Sequence, residues 1–356
     1  MGSLALSMCA APARKDNEDK LGFALVGLGN YAGGQLAPAL QETKNCYLAG
    51  IVTGTPEKEG IWADKYKIPD KNIYNYDNFD EIADNKDIDV VYVVLPNNMH
   101  AEYTIRALKA GKHVTCEKPM ATSYADCVRM IEAAKRAGKK LSIGYRLHYE
   151  PHHLEMMRIG QKRVYGELER IEARFGFPLR DKSRWRLDKE MSGGGPLMDV
   201  GIYCLQAALY TSGELPVSLT ARNITTDKEF FSDIEGTLEW QFNFPSGVAN
   251  QMETSYEKSY NHLNLITDTH TAGMNPTYSY GGLQGKINGA HMNLPNVNQQ
   301  ARQMDAFAEN IMNGTQCLVP GEMGARDMFI IDRIYESMAS NLEVSLKGIP
   351  QIQHLL

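Results

Sequence analysis

The regular alternation of strand and helix patterns between residues 21 and 145 constrains the fold more than any other feature of this 356-residue chain. Apolar runs such as LGFALVGLG, CYLAGIVTG, DVVYVVLP and HVTCEKP are separated by segments with helical periodicity. Near-continuous apolar runs are typical of strands buried on both faces, and strands that alternate with helices form parallel sheets. The pattern predicts an α/β domain with a doubly wound parallel sheet over residues 21–147, after an N-terminal arm of residues 1–20.

The rest of the chain has a different pattern and predicts a second domain over residues 148–356. Stretches such as GELERIEARFGF and GTLEWQFNFP alternate with a period of two, which is typical of an antiparallel sheet with one solvated face. Helices are expected near residues 198–210, 298–312 and 322–340, and residues 268–295 form either a long loop or loosely paired strands. We therefore expect an α+β domain with a large, mostly antiparallel open sheet.

Composition limits the partners and the compartment of the chain. With 37 basic and 43 acidic residues, the net charge of -6 creates no field that would attract nucleic acid. No apolar run approaches the roughly 20 residues of a membrane helix. The six cysteines lack paired spacing, which favours a reducing compartment and argues against a zinc site. The N-terminal segment has no basic residue before Arg14 and no twin arginine, so we expect the cytoplasm rather than export.

The segment ALVGLGNYAGG carries a dinucleotide-binding pattern between the first strand and the first helix. Gly27 permits a tight turn, Gly29 lets the backbone approach a pyrophosphate, and Ala32 keeps the helix close to the strand. The free N–H groups at the start of the helix attract the anion. Asn30 and Tyr31 complete the cofactor-binding candidates of this turn. The alternative is a glycine-bearing turn without a ligand.

The end of the second strand indicates which dinucleotide the chain binds. NAD sites usually carry an acidic residue there, about 20 residues after the fingerprint, that holds the ribose 2′-hydroxyl. This chain instead has Thr53, Gly54 and Thr55, with Lys58 one turn into the next helix. These residues leave room for a 2′-phosphate and a cation to pair with it, so NADP is favoured over NAD. Taken alone, Lys58 is equally explained as a solvated helix charge.

Polar residues follow three further strands, at the sheet edge where ligands of such folds bind. In the segment HVTCEKPM, Lys118 stands at a strand tip, Glu117 precedes it, and Pro119 fixes the chain direction through either a trans or a cis bond. A lysine beside a nicotinamide is a cation placed where substrate oxygens would lie; without the fingerprint it would be an ordinary strand-end lysine. The cofactor-binding candidates at this edge are Leu95, Pro96, Asn97, His100, Glu117, Lys118 and Arg146.

The second domain supplies the segment MSGGGPLMDVGIY. Three consecutive glycines, residues 193–195, indicate a backbone that passes very close to another group before a helix begins. On that helix Asp199 and Tyr203 are four positions apart and share one face. A tyrosine, whose ordinary pKa is about 10, needs a neighbouring cation to act as a base near neutrality, and Lys118 would be that cation. Alternatively, Tyr203 is a half-buried helix aromatic.

Other residues leave alternatives open. The histidines of HYEPHH, residues 148–153, lack a second cluster with zinc spacing, so no metal is expected. Tyr278 and Tyr280 either line a sugar pocket or cover an interface. Apolar residues on both sides of GTLEWQFNF would make the open sheet seek a partner, which predicts a homo-oligomer, most simply a dimer.

Three motifs together resemble the Gfo/Idh/MocA oxidoreductase family from about Leu21 onward: the glycine fingerprint, the Glu-Lys-Pro triplet and the D-x-G-x-[H/Y] helix. Most members have histidine at the last position, whereas this chain has Tyr203, as the glucose-fructose oxidoreductase branch does. Long stretches such as LPNNMHAEYTIRALKAGKHVTCEKPMATSYADC and GGGPLMDVGIY are similar to the aldose-aldose oxidoreductases of that branch. The resemblance implies a tightly held NADP(H) that moves hydride from one aldose, oxidised at C1 to an aldonolactone, to another sugar, reduced to an alditol.

The resemblance also implies roles for individual residues. Tyr203 would donate and accept the proton, Lys118 would favour its ionised form, and Asp199 would orient the sugar or the lysine. Trp185 and Arg186 would contact the cofactor. The substrate-binding candidates are Lys118, Tyr145, Asp199, Tyr203 and Tyr278.

Two features of the resemblance limit it. Exported members of the branch carry a long twin-arginine leader, and their N-terminal arm helps to trap the nucleotide, whereas this chain offers only residues 1–20 as an arm. Two alternatives therefore remain: a conventional NADP-dependent sugar 1-dehydrogenase that releases NADPH, and a non-catalytic nucleotide-binding regulator.

Overall fold

The computed structural model describes residues 19–351, so that the predicted N-terminal arm lies almost entirely outside the described residues. Within this range the first sheet has six parallel strands in the order β3-β2-β1-β4-β5-β6. The strand order reverses between β1 and β4, which confirms the predicted doubly wound topology. The strands are β1 Leu21–Val26, β2 Cys46–Val52, β3 Ile73–Tyr74, β4 Val90–Val93, β5 His113–Cys116 and β6 Leu141–Ile143.

Helices cover both faces of this sheet because its strands are apolar on both sides. The helix after β1 starts with a wide π-helical turn, Ala32–Leu36, and continues as α1. Ser123 Oγ accepts a hydrogen bond from the Asp126 N–H at 3.2 Å and so begins α4, which ends at Gly138 with a left-handed φ of 63°. The helices are α1 Ala37–Ala39, α2 Pro56–Tyr66, α3 His100–Lys109 and α4 Tyr124–Ala137.

The second sheet has nine strands in the described part of the chain, in the order β14-β13-β12-β11-β7-β10-β9-β8-β15. Only β7 and β10 pair in parallel, so the prediction of a mostly antiparallel sheet is confirmed. Residues 268–295 form strands that extend the sheet. The strands are β7 Leu168–Gly176, β8 Ser218–Asn223, β9 Thr237–Asn243, β10 Ala249–Ser255, β11 Tyr260–Thr267, β12 Thr271–Met274, β13 Gly285–Ile287, β14 Ala290–His291 and β15 Val344–Ser345.

The later helices connect the two sheets. Helix α8 packs on the first sheet, because its Met304 and Phe307 share one buried cluster with Leu25 of β1 and Leu36 of the first helix. Within residues 19–351 no helix is both long enough and apolar enough to span a bilayer. These helices are α5 Pro151–Gln161, α6 Lys189–Ser192, α7 Ile202–Ser212, α8 Gln299–Met312 and α9 Gly321–Ser340.

The face of the second sheet opposite the core is polar along β9. On β9, Leu238, Trp240 and Phe242 all belong to the core, while Glu239 and Gln241 point to the opposite face. The expectation that apolar side chains occupy both sides of GTLEWQFNF is therefore wrong. An oligomer through this face remains a prediction, and it would depend on charged and polar contacts.

Candidate active site

The glycine turn after β1 has the geometry of a phosphate-binding loop. Gly27 has a φ of +94°, and a Cβ at this position would lie 2.5 Å from the Val94 carbonyl oxygen. A Cβ at Gly29 would meet no atom within 4 Å, so the outer side of the turn is open. Asn30 is exposed beside it, and the helix that starts at Ala32 follows directly. The turn therefore fits the pyrophosphate of a dinucleotide.

The end of β2 lies next to this turn. Lys58 Nζ donates a hydrogen bond to the Leu28 carbonyl oxygen at 2.9 Å, which places its ammonium beside the fingerprint. The Thr55 N–H donates to Thr53 Oγ1 at 3.1 Å, and a Cβ at Gly54 would lie 2.7 Å from the Tyr76 ring. No acidic side chain stands at the strand tip. These residues fit a 2′-phosphorylated ribose.

The loop after β4 is tied to its neighbours by buried side chains. The Asn97 side-chain amide donates to the Ser192 carbonyl oxygen at 2.8 Å, and Leu95 packs against Gly27 with the half-buried Pro96 next to it. The ring nitrogens of His100 lie 2.8 Å from the Pro119 carbonyl oxygen and 2.9 Å from that of Leu95.

Burial lowers the pKa of His100 to about 4, so the ring is neutral and only one of these two contacts is a hydrogen bond. His100, predicted to bind the cofactor, is instead buried between the loops after β4 and β5. Its ring is held by backbone carbonyls, and it therefore positions Leu95 and the Lys118–Pro119 segment, whose peptide bond is cis.

The structure brings together the three residues predicted to be catalytic. Lys118 Nζ donates to the Asp199 carbonyl oxygen at 2.6 Å and lies 3.5 Å from Asp199 Oδ1. The same ammonium lies 4.9 Å from the centre of the Tyr203 ring. The side chains of Lys118 and Asp199 are only 12% and 13% exposed, so water screens their charges weakly.

Asp199 is held by two further side chains. Its Oδ2 accepts hydrogen bonds from Arg186 Nε at 2.9 Å and from the Tyr256 hydroxyl at 3.0 Å. Burial alone would raise the pKa of Asp199, but Arg186, Lys118 and the Tyr256 hydroxyl together hold it below its ordinary value. The Arg186 guanidinium also lies 4.6 Å from the Trp185 ring. The predicted Trp185-Arg186 pair therefore lies at the reacting centre, and Tyr256 is a partner that the sequence did not reveal.

Glu117 holds the backbone of Lys118 through its carboxyl group. Its Oε2 accepts from the Lys118 backbone N–H at 3.1 Å, and its Oε1 accepts from the Tyr92 hydroxyl at 2.8 Å. Burial raises the pKa of Glu117, while the positive charge of Lys118 opposes this rise. A Cβ at Gly144 would lie 2.4 Å from Glu117 Oε1, so this glycine makes room for the carboxyl group.

Arg146, the residue predicted near the nicotinamide, connects the two sheets. Its guanidinium donates to the carbonyl oxygens of Tyr278 at 2.6 Å and Ser279 at 3.2 Å, and also to Gln299 Oε1. Its Cζ lies 5.3 Å from the centre of the Tyr203 ring. Arg146 thus places a second cation beside the Tyr203 ring.

Two of the predicted substrate-binding tyrosines are buried. Tyr278 is 1% exposed and stacks on Phe175 with ring centres 4.8 Å apart. Tyr145 lines a small cavity together with Lys118 and Tyr203. In place of Tyr278, the cleft has Tyr280, which is 47% exposed. Residues 278–280 lie outside the strands, and the Tyr278 backbone is held by Arg146, which donates to its carbonyl oxygen, and by Asn261 Oδ1, which accepts its N–H at 2.7 Å.

The three glycines before α7 are required by close contacts. A Cβ at Gly194 would lie 2.0 Å from the Tyr335 hydroxyl oxygen, and one at Gly195 would lie 2.2 Å from the Glu235 carbonyl oxygen. The buried Glu235 carboxyl group accepts hydrogen bonds from the N–H groups of Gly195 at 3.0 Å and Leu197 at 3.2 Å. Glu235 therefore fixes the start of the helix that carries Asp199 and Tyr203. No sequence pattern pointed to Glu235.

The histidines of HYEPHH all contact other groups of the protein through their ring nitrogens. His148 contacts the Gln206 side-chain oxygen at 2.6 Å, and His152 contacts Glu150 at 2.8 Å. His153 contacts the Tyr210 hydroxyl at 2.6 Å and a backbone carbonyl at 2.9 Å. Among the described residues, no group of histidine, cysteine and acidic side chains has an arrangement that could hold a metal ion.

Comparison with known proteins agrees with this geometry. Residues 21–145 match the oxidoreductase family with an NAD-binding Rossmann fold, and residues 153–273 match the GFO/IDH/MocA C-terminal domain. The crystal structure of aldose-aldose oxidoreductase from Caulobacter crescentus, complexed with glycerol, is 37% identical with a TM-score of 0.89, over 92% of this chain and all of that chain. The chain belongs to the Gfo/Idh/MocA oxidoreductase family. This confirms the resemblance predicted from the three motifs.

Relatives that this chain resembles in sequence include enzymes named for sugars. The D-xylose 1-dehydrogenase [NADP(+)] of Haloarcula marismortui is 26% identical over 335 residues, which are 91% of this chain and 92% of that protein. The D-glucoside 3-dehydrogenase of Escherichia coli is 29% identical over 284 residues, which are 72% of this chain and 79% of that protein.

Proposed function

We propose that this Gfo/Idh/MocA oxidoreductase is an NADP(H)-dependent aldose oxidoreductase with a tightly bound cofactor. It oxidises one aldose at C1 to an aldonolactone and reduces a second sugar to an alditol at the same site, in ping-pong order. The observation that carries the proposal is the cluster of Lys118, Tyr203 and Asp199 at the nucleotide-binding edge of the sheet. The likeness to an aldose-aldose oxidoreductase over almost the whole chain supports the choice of reaction.

The preference for NADP over NAD rests on the end of β2. A carboxylate at the strand tip would repel a 2′-phosphate, and none is present. The Lys58 ammonium lies beside the fingerprint turn, within the region where the adenosine ribose binds. The name of the NADP(+)-dependent xylose dehydrogenase relative is consistent with this preference.

The chain's own residues handle the proton of the sugar hydroxyl. NADP(H), when bound, would supply the hydride chemistry: a nicotinamide that can accept a hydride from C1 of one sugar and donate it to the carbonyl carbon of the next. As the hydride leaves, the Tyr203 oxygen accepts the proton of the C1 hydroxyl, and it returns this proton to the oxygen of the second sugar. Lys118 and Arg146 both lie over the Tyr203 ring and stabilise the negative charge that its oxygen carries before it accepts the first proton and after it returns it.

Asp199 keeps Lys118 in place during this cycle. Its carboxylate is shared between Arg186, Tyr256 and the Lys118 ammonium, and its carbonyl oxygen accepts the shortest of the Lys118 hydrogen bonds. The lysine therefore has a fixed direction beside Tyr203. Its remaining N–H groups can donate to a substrate oxygen.

Turnover without added nucleotide tests the proposal. Purified protein mixed with a single aldose should yield aldonolactone and alditol in equal amounts, detected by chromatography. Heat denaturation of the same protein should release NADP(H), identified by mass spectrometry. A preparation that makes no alditol under these conditions is not a cofactor-retaining aldose oxidoreductase.

A conventional sugar 1-dehydrogenase that releases NADPH is the second candidate, favoured by the name of the xylose dehydrogenase relative. It would form lactone only when NADP is supplied, with NADPH appearing in solution. A non-catalytic regulator is a weaker alternative, because it has no need of the Lys118 and Tyr203 pair. A purified protein that binds the nucleotide but turns over no sugar, with or without added NADP, would support this alternative.

The compartment and the assembly state complete the proposal. The five cysteines within residues 19–351 are free thiols, and four of them are buried, which is consistent with a reducing cytoplasm. The homo-oligomer would form across the polar face of the second sheet. Sedimentation velocity at low and high salt would measure it, since contacts between charged groups weaken as salt rises.

A further inference from the structure

Two tyrosines from distant parts of the chain form a ring pair at the nucleotide-binding edge. Tyr31 belongs to the glycine turn after β1, and Tyr280 lies between β12 and β13. Their ring centres are 5.5 Å apart with an interplanar angle of 34°. The Tyr31 hydroxyl also lies 3.5 Å from the side-chain nitrogen of Gln300, in the first turn of α8. The fingerprint is thus in contact with residues of the second half of the chain.

Arg146 anchors the same segment on its other side. The guanidinium holds the carbonyl oxygens of Tyr278 and Ser279, and its Cζ lies 4.6 Å from the centre of the Tyr280 ring. Arg146 is buried and stands three residues after the end of β6. Tyr280 is therefore held both to the end of β6, through Arg146, and to the turn after β1, through Tyr31.

The order of the strands relates the Tyr31–Tyr280 contact to the path of a bound nucleotide. Strands β4 and β5 lie between β1 and β6, and their carboxyl ends carry Leu95 and Lys118. A dinucleotide in this fold lies along the same edge, with its pyrophosphate at the turn after β1. The path of the nicotinamide half therefore runs past the Tyr31 and Tyr280 rings before it reaches Lys118.

We propose that the Tyr31–Tyr280 pair is an aromatic clasp that retains the nucleotide, and that its opening limits nucleotide release. Tyr280 is 47% exposed, so its ring can leave the pair without opening the core, while the buried Arg146 keeps the segment in place. The clasp deepens the proposed function, since it assigns cofactor retention to residues outside the N-terminal arm. It rests on that proposal only for the identity of the nucleotide.

The release rate of NADPH tests the clasp. Protein loaded with NADPH is mixed with excess NADP, and the loss of bound-NADPH fluorescence gives the dissociation rate, without any sugar present. Tyr280→Ala should release NADPH about three to ten times faster, the range expected for loss of one aromatic pair. Tyr280→Phe keeps the ring and should release it at the parent rate.

A matched control uses an aromatic pair far from the fingerprint. Tyr165 stacks on His270 with ring centres 4.2 Å apart, next to the second sheet. Tyr165→Ala removes a ring of the same size and should leave NADPH release unchanged. Equal acceleration in Tyr165→Ala and Tyr280→Ala would overturn the clasp, because it would indicate general loosening.

Coupling between the two rings gives the decisive measurement. If Tyr31 and Tyr280 act as one clasp, Tyr31→Leu combined with Tyr280→Ala should release NADPH no faster than the faster single variant. Rates that multiply would show two independent contacts and would overturn the proposal, as would a Tyr280→Ala rate equal to the parent rate. If the parent itself is purified without nucleotide, cofactor retention in the proposed function fails, but the variant-to-parent ratios with added NADPH still decide the clasp.

Discussion

The ammonium of Lys118 lies 4.9 Å from the centre of the Tyr203 ring, although the two residues stand on different elements 85 positions apart. Lys118 reaches this place because Glu117 accepts its backbone N–H and Asp199 accepts a hydrogen bond from its side chain. Hydrogen bonds therefore hold both the backbone and the ammonium of Lys118, so its position does not depend on attraction to Tyr203 alone. In the proposed mechanism, such preorganisation would let Lys118 stabilise charge on the phenol without a rearrangement in each cycle.

Removal of the Tyr203 hydroxyl should abolish proton transfer and leave the fold intact. We expect Tyr203→Phe to lower kcat by about 10²- to 10⁴-fold, the usual contribution of one general acid or base. The nucleotide content after purification should equal that of the parent. Tyr210→Phe, on the same helix, is the matched control, since its hydroxyl contacts His153 and not Lys118. Equal loss in both variants would contradict a specific role for Tyr203.

Protonation of Asp199 should determine how kcat/KM decreases at acidic pH. The pKa of Asp199 lies below its ordinary value because Arg186, Lys118 and the Tyr256 hydroxyl outweigh the effect of burial. Replacing Tyr256 by Phe removes one donor and must move this pKa upward. The acid limb of kcat/KM should then shift to higher pH, with the value above neutrality little changed. A uniform decrease at every pH would show that Tyr256 acts through packing instead.

The sequence predicted the three residues that come together at the candidate site, but not the residues that hold them. Lys118, Asp199 and Tyr203 stand in motifs whose spacing is readable, at a strand tip and four positions apart on a helix. Tyr256 and Glu235 lie on other elements, 57 and 40 positions from Asp199 and Gly195. No local pattern links such pairs, because only the packing of the second sheet brings them together.

The choice between Tyr278 and Tyr280 failed for a related reason. Both lie in a segment without a regular hydrophobic period, so the sequence did not indicate which ring faces the core. The polar face of β9 is different, because the alternation of Leu238, Trp240 and Phe242 with polar residues was already visible in the sequence. Its apolar side chains lie on one face only, as a period of two requires.

The sequence indicated which strands and helices form more clearly than it indicated where the helices pack. The repeated strand and helix patterns suffice for the parallel sheet, since such strands must be covered on both faces. The pattern of residues 298–312 predicted a helix, but not that this helix, α8, packs on the first sheet beside Leu25 and Leu36.

Lys58 should determine the preference between the two coenzymes. Its ammonium lies beside the fingerprint turn, where it would pair with a 2′-phosphate. We expect Lys58→Met to weaken NADPH binding about tenfold, a typical loss for a charge-assisted contact, and to leave NADH binding nearly unchanged. Titration of nucleotide-free protein with each coenzyme gives both dissociation constants. As a control, Lys65→Met removes a charge from the last turn of the same helix and should alter neither constant. Parallel weakening for NADH and NADPH in Lys58→Met would show that Lys58 supports the turn and does not select the phosphate.

Glu257, which directly follows Tyr256, should stabilise the fold in a pH-dependent way. Its carboxyl group accepts hydrogen bonds from the hydroxyls of Thr226 at 2.6 Å and Thr237 at 2.5 Å and from the Asp227 N–H at 2.7 Å. Burial opposes ionisation, but these donors prevail and lower the pKa of Glu257 from 4.5 to about 2. The folded state therefore binds this proton more weakly than the unfolded state, and the stabilisation is present above about pH 4.5 and disappears as the pH falls toward about 2. Urea unfolding of the parent and of Glu257→Gln should differ clearly in midpoint near neutral pH and converge at acidic pH. A midpoint difference that stays constant over this range would mean that the ionised carboxylate contributes nothing, and that the variant acts only through the shape of its side chain.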